Sequence, residues 1–294
     1  MSTRASEYAP QDPAARSDDA DGPPTRIIRP VSGWLPLDLA ELWRYRELVF
    51  FLAWRDVQLR YRQTLLGIAW AILQPLFTAV VFAVFFGYLG HIPSDGSPYP
   101  LFALVGLVAW QLFAFALLQS SESLVANQHI LRRAYFPRIV VPMASIGAGV
   151  LDFLASGAVV AVALGWYGVH PTWRLLFLPM LAVQALCTAM GVGLWLATLN
   201  VRYRDVRYTL PFLAQIWLLA TPVAYPASIV PERWRSLLGV NPMAGVVEGF
   251  RWAILGTGRL SPGLLGVSSI IAVALLVSGL YYMRRMEPRF ADVI

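Results

Sequence analysis

Residues 65–89 read LLGIAWAILQPLFTAVVFAVFFGYL, 25 positions without one charged side chain. A helix rises about 1.5 Å per residue, so about 20 apolar residues cross the roughly 30 Å hydrocarbon core of a bilayer. Outward from this stretch, five more are long and apolar enough: 100–119, 139–166, 175–199, 210–229 and 262–283. In lipid the backbone must satisfy its own hydrogen bonds, which a helix does within one segment. The expected fold is therefore an all-α integral membrane protein with six transmembrane helices. Composition agrees: 57% of residues are hydrophobic and 14% charged, against about 25% charged in soluble domains.

The net charge of +6 would suggest nucleic acid if the protein were soluble. Here the position of the charge is more telling than its sum, and no nucleic-acid partner is expected. All 23 basic residues are arginine. Eighteen of them fall in the segment before the first span, the loops after spans two and four, and the C-terminal tail; five fall in the alternate loops. By the positive-inside rule both termini are cytoplasmic, in a multi-pass protein of the inner membrane. With no lysine, the chain cannot form the GxxxxGK[ST] loop that cradles nucleotide phosphates, so any ATP that drives it must bind another chain. The single cysteine, Cys187, excludes an intrachain disulfide and reads as a small apolar side chain. His91, His129 and His170 are far apart in sequence, so no metal site is expected.

The chain divides into four parts. Residues 1–33 are polar and proline-rich, with an acidic run from Asp18 to Asp21 and no signal-peptide pattern, and are expected to be a disordered cytoplasmic tail. Residues 34–62 form an amphipathic helix on the cytoplasmic membrane surface. Trp43, Phe50, Trp54, Val57 and Tyr61 make its apolar stripe; Arg44, Glu47, Arg55, Gln58 and Arg62 lie mostly elsewhere, with arginines near anionic headgroups, and Phe51 breaks the pattern. Residues 63–285 are the transmembrane domain and 286–294 a cytoplasmic tail. Between spans five and six, residues 226–259 contain two stretches too short to cross, 231–239 and 242–256, expected as short helices dipping into the outer leaflet or lying across it. Asn241 and Pro242 suit an N-cap and first helical position. A plain external loop is the other reading.

Arg55-Asp56-Val57-Gln58-Leu59-Arg60-Tyr61-Arg62, followed by Leu66-Gly67, Trp70 and Pro75, resembles the start of the membrane subunits of type-2 ABC exporters for polysaccharides: O-antigen, capsule and teichoic-acid permeases. Further matches follow in order: 127–142, Asn-x-x-Ile-Leu-Arg-Arg-x-Tyr-Phe-Pro-Arg-Ile-Val-Val-Pro; Tyr203-Arg204-Asp205-Val206; Gln215; Thr221-Pro222-Val223; Tyr225-Pro226; Asn241-Pro242; Phe250-Arg251. The resemblance covers about residues 35–285. It implies a half-transporter that forms a homodimer and pairs with two copies of a P-loop ATPase, which carry the ATP and magnesium; no cofactor is expected in this chain. The implied cargo is a lipid-linked or long-chain polysaccharide.

The resemblance also assigns parts. Arg55, Asp56, Arg60, Tyr61 and Arg62 belong to the interface helix. Asn127, Arg132, Arg133, Tyr135, Phe136 and Arg138 form the main ATPase-coupling loop, and Arg204 and Asp205 a second contact. Glu232, Asn241, Glu248 and Arg251 sit in an external gate. Arginines on a short helix offer bidentate donors to carboxylates of a partner, although enforcing topology is a sufficient role for them. Aromatic rings can stack on the C–H faces of sugars; Trp70, Phe82, Phe85 and Tyr88 in span one, and Trp217 and Tyr225 in span five, are candidate channel lining, with membrane belts and packing as the competing use. Asp152 shares a face of span three with Ser145, Gly149 and Ser156, a face expected against protein rather than lipid. It is either a structural hydrogen-bonding group or a proton relay. Gln184, Thr188 and Gly191 make a similar stripe in span four.

Three other functions compete: export of a drug or small lipid on the same architecture, a proton-coupled carrier resting on Asp152, and a membrane enzyme. The last lacks an acidic pair or histidine beside Glu232 and Glu248 in the external segment, so no catalytic residue is assigned.

Overall fold

A computed structural model describes residues 43–62, 69–133, 136–203, 205–257 and 260–287. The expected tail 1–33 lies outside the described residues, as do 34–42 of the interface segment, Tyr135, Arg204 and 288–294. Among the described residues all regular structure is helical. In chain order the helices are α1 (Arg46–Arg62), α2 (Ala69–Phe82), α3 (Tyr99–Ala126), α4 (Gln128–Leu131), α5 (Val140–Ser145), α6 (Gly147–Trp166), α7 (Leu178–Arg202), α8 (Val206–Ala220), α9 (Glu232–Arg235), α10 (Pro242–Leu255) and α11 (Pro262–Met286). A wider turn, Ala83–Leu89, prolongs α2, and a tighter one, Trp173–Phe177, leads into α7.

Among the described residues five segments are long and apolar enough to cross a membrane: Ala69–Leu89, Tyr99–Ala126, Val140–Trp166, Trp173–Arg202 and Pro262–Met286. The stretch expected to span at 210–229 differs. Its helix is α8, 15 residues from Val206 to Ala220, or about 22 Å. It stops because a residue before proline is driven out of the helical region: Thr221, preceding Pro222, is extended at φ −94°, ψ 139°. The residues that apolarity alone had assigned to the span instead form a turn and the short helix Ala227–Ile229. At the start of α8 Arg207 faces Glu122 of α3, and the turn after it is bonded at the Pro222 carbonyl to Arg251, whose guanidinium lies against Phe102 of α3.

The centre of the bundle is α3, enclosed along nearly its whole length by α7, α10, α6 and α2. Its hydroxyls fold back on their own helix, as Ser121 to the Leu117 carbonyl at 2.6 Å and Ser123 to that of Ser120 at 2.7 Å. That gives these serine donors partners within the apolar interior. Against it, α7 and α11 meet backbone to backbone: a Cβ on Gly191 would lie 2.5 Å from the Leu275 carbonyl carbon. Gln184 adds a donor to Ser268 at 3.4 Å and an acceptor for Ser269 at 3.2 Å, so the stripe read in span four is helix packing.

The external segment does form helices. Asn241 caps α10 by accepting from the Met243 N–H at 3.1 Å, Pro242 takes the first position, and Gly256 ends the helix in the left-handed region at φ 68°. Almost all of α10 is buried. Gly245 lies against Ser268 and Gly249 against Leu181, about two turns and one turn inside the outer ends of α11 and α7. The helix therefore re-enters the bundle rather than lying on it.

Candidate functional site

At one end of the bundle, α1 presents Tyr45, Leu48, Val49 and Leu52 to α5 and the start of α6, where Phe136, Ile139 and Leu124 complete the cluster. Of the stripe read from the sequence, Trp43, Phe50 and Trp54 are exposed, as a helix resting on a membrane surface requires, while Val57 and Tyr61 are partly buried. The arginines depart from expectation. Arg55 and Arg60 turn into the protein instead of toward headgroups. Arg55 donates to Asp56 at 2.7 Å and to the Asn127 side chain at 2.8 Å. Arg60 donates to Asp152 at 2.8 Å, and Tyr61 donates to the other oxygen of the same carboxylate. Burial and the neighbouring carboxylate push the Tyr61 phenol up to about 12, which keeps it a donor at physiological pH. Arg62 is exposed.

These contacts decide what Asp152 touches. It sits halfway along the Val140–Trp166 segment and is ion-paired with α1. Ser156, one turn on, donates to the Ala71 carbonyl of α2 at 3.0 Å, and Gly149 leaves room for the Phe115 ring of α3. The small polar face of this span is thus entirely against protein.

Polar groups that single positions in the sequence did not flag gather here. A cavity of about 730 Å³ opens beside Arg55, Asp56, Gln119 and Glu122. Behind it one of about 470 Å³ runs between α2, α3, α6 and α8, past Gln74, Gln111 and Gln215. Glutamines in otherwise apolar spans were the available signal, since an amide facing lipid is costly. Of the candidate channel aromatics, Trp70 lines the inner cavity. Phe85 and Tyr88 project from the outer face of α2, and Phe82 packs edge-on to Phe86 at 5.1 Å. Trp217 turns inward, donating to Asn241 at 2.9 Å and meeting Phe113 at 4.8 Å.

The coupling candidates separate in space. Arg132 and Arg133 are exposed. Phe136 is a core side chain. Arg138 is tied to the end of α11 through the Glu287 carbonyl at 3.0 Å. Asp205 is exposed at the start of α8.

At the opposite end, Glu248 and Arg251 hold the turn at Tyr225 in a knot, Asn241 bonds the same turn at Thr221, and Glu232 stands exposed apart from them. Arg251, 3% exposed, donates to the carbonyls of Pro222 at 2.7 Å, Val223 at 2.5 Å and Tyr225 at 3.3 Å, and to Glu248 at 3.2 Å. Its guanidinium lies 3.5 Å from the centre of the Phe102 ring, a cation–π contact. Glu248 also accepts the Ala227 N–H at 2.9 Å. The turn after α8 is thereby fastened to the re-entrant helix.

A multi-pass helical protein with a surface helix, a re-entrant external helix and a polar groove into its side is built as the membrane subunit of a transporter. The chain belongs to the ABC-2 type transporter family, which residues 47–255 match, from the start of α1 to the end of α10. It is 30% identical over 261 residues to the O-antigen export system permease protein RfbA of Myxococcus xanthus, covering 86% of this chain and 98% of the relative. It is 26% identical over 249 residues to the protein of that name from Klebsiella pneumoniae (84% and 95% covered). To the polysialic acid transport protein KpsM of Escherichia coli it is 26% identical over 239 residues (79% and 91% covered).

Proposed function

We propose that this chain is the membrane-spanning half of an ATP-driven exporter that moves a lipid-linked or long-chain polysaccharide across the inner membrane. The observation that carries this reading is its likeness, over nearly their whole lengths, to permeases named for O-antigen export and polysialic acid transport. The groove supports it: amide side chains along an intramembrane cavity suit a hydroxyl-rich cargo better than an apolar one. Ion pairing of Asp152 with Arg60 favours its structural role over a proton relay.

The chain works as a homodimer with two copies of a P-loop ATPase, which hold ATP and magnesium; this chain carries no nucleotide site and no cofactor. Absence of lysine supports that division of labour. The scarcely buried α2 and α8, with Gln74 and Gln215 exposed where the open inner cavity passes between them, support a second copy rather than lipid as their neighbour. In this assembly α8 is the sixth membrane crossing and both termini are cytoplasmic, in line with the distribution of arginines. The exposed Arg132 and Arg133 meet the ATPase, and α9 with α10 close the external end.

The test is affinity purification of the tagged protein from native membranes in mild detergent. A stoichiometric P-loop ATPase with hydrolytic activity is the expected result. A chain that purifies alone, with transport that collapses with the proton gradient while ATP is retained, would overturn the proposal in favour of a proton-coupled carrier.

A further inference from the structure

The two cavities share part of their lining, and any constriction between them falls at those shared residues. Arg60 and Phe115 line both, and Asp152 lines the inner one. Arg60 reaches across from α1 to Asp152 at 2.8 Å, with its guanidinium 4.6 Å from the centre of the Phe115 ring. A charged side chain held between a carboxylate and an aromatic face thus stands in the wall that the two cavities share. The clamp is also placed to release, since Asp56 and Glu122 line the outer cavity beside Arg60. Arg60 can therefore leave Asp152 without losing all carboxylate neighbours.

The helix that carries Arg60 has a second attachment. Arg55 is bonded to Asn127 at 2.8 Å, where α3 gives way to the cytoplasmic loop. The two arginines are about 7.5 Å apart along one rigid helix. Moving the loop pulls on one, and the other moves with it. We propose that Arg60, Phe115 and Asp152 form an internal gate between the cytoplasmic vestibule and the intramembrane groove, and that α1 is the lever that opens it from the Asn127 loop.

The test reads passage through the constriction without any cargo. In a Cys187→Ala background, Gln111→Cys places a thiol in the inner cavity and Gln119→Cys one in the outer. A membrane-impermeant maleimide is applied to the cytoplasmic face of inside-out vesicles. Arg60→Ala and Phe115→Ala should each speed labelling of Gln111→Cys about fivefold or more, as removal of a contact of ion-pair size shifts a two-state equilibrium. Labelling of Gln119→Cys should hold its rate. Exchanging the charges, Arg60→Asp with Asp152→Arg, should restore slow labelling. Arg55→Gln should change the Gln111→Cys rate without touching the constriction, and an unchanged rate removes the lever from the proposal. Equal labelling of Gln111→Cys in the parent and in both opening variants overturns the gate. A variant that fails to insert shows itself by loss of the Gln119→Cys signal, and the other then decides. Labelling needs neither ATPase nor glycan, so failure here leaves the export reading standing, and a missing ATPase partner leaves the gate standing.

Discussion

Replacing Arg251 by methionine should be among the most damaging single changes in the external half. The guanidinium satisfies three carbonyls and one carboxylate inside the bundle. Methionine fills similar volume but strands all four acceptors and gives up the contact with Phe102. Removing one partner of a buried ion pair costs about 3–5 kcal/mol, because the other charge stays buried and uncompensated. For a chain of this size that corresponds to about 10 °C in the unfolding midpoint. Glu248→Gln should cost only about 1–2 kcal/mol, since the amide oxygen still accepts from Ala227 and Arg251. In the Glu248→Gln background Arg251→Met no longer strands a charge, so its cost should fall by about 1 kcal/mol or more. Thermal unfolding of the four proteins in one detergent, followed by intrinsic fluorescence, supplies the cycle. An Arg251→Met midpoint within about 2 °C of the parent, smaller than even a minor lost contact gives, or strict additivity in the cycle would refute the knot.

Three further outcomes follow from the same contacts. Gly106→Ala places a Cβ 2.8 Å from the Arg251 guanidinium and should destabilise by about 1–3 kcal/mol, an effect that disappears when Arg251 is already methionine. Asn241→Ala removes the cap of α10 and the acceptor of the Trp217 indole together, for about 1–2 kcal/mol from the cap alone; a Trp217 emission spectrum unchanged from the parent's, in a variant whose other tryptophans are replaced, would contradict the pairing. Charge reversal at Arg132 and Arg133 together should uncouple ATP hydrolysis from export while membrane insertion is retained, and undiminished export would remove these arginines from the ATPase contact.

Hydropathy alone located five of the membrane helices, because a run of apolar residues is a local property and lipid reads it locally. It overran on α8. The apolar residues after Ala220 belong to a turn that Thr221–Pro222 forces and Arg251 fastens, and only the backbone rule for residues before proline separates the two. Asn241–Pro242 announced α10, because capping is chemistry between near neighbours. Nothing local announced that this helix is enclosed by α3, α7 and α11, since burial depends on partners distant in the chain.

The sequence by itself determined the class of the protein, the segments in which its arginines concentrate, the absence of a lysine-bearing phosphate loop, and the aromatic side chains exposed on the first turns of α1. Each is a matter of composition or of spacing within one element. The partners of Asp152 were decided by tertiary structure alone. Arg60 and Asp152 are 92 positions apart, and a periodic pattern says which residues share a helix face but not which helix that face meets. The same holds for Arg55 with Asn127 and for Arg251 with the turn after α8. A charge in an apolar setting can be recognised from sequence as expensive, but the group that offsets the cost is fixed only when the helices pack.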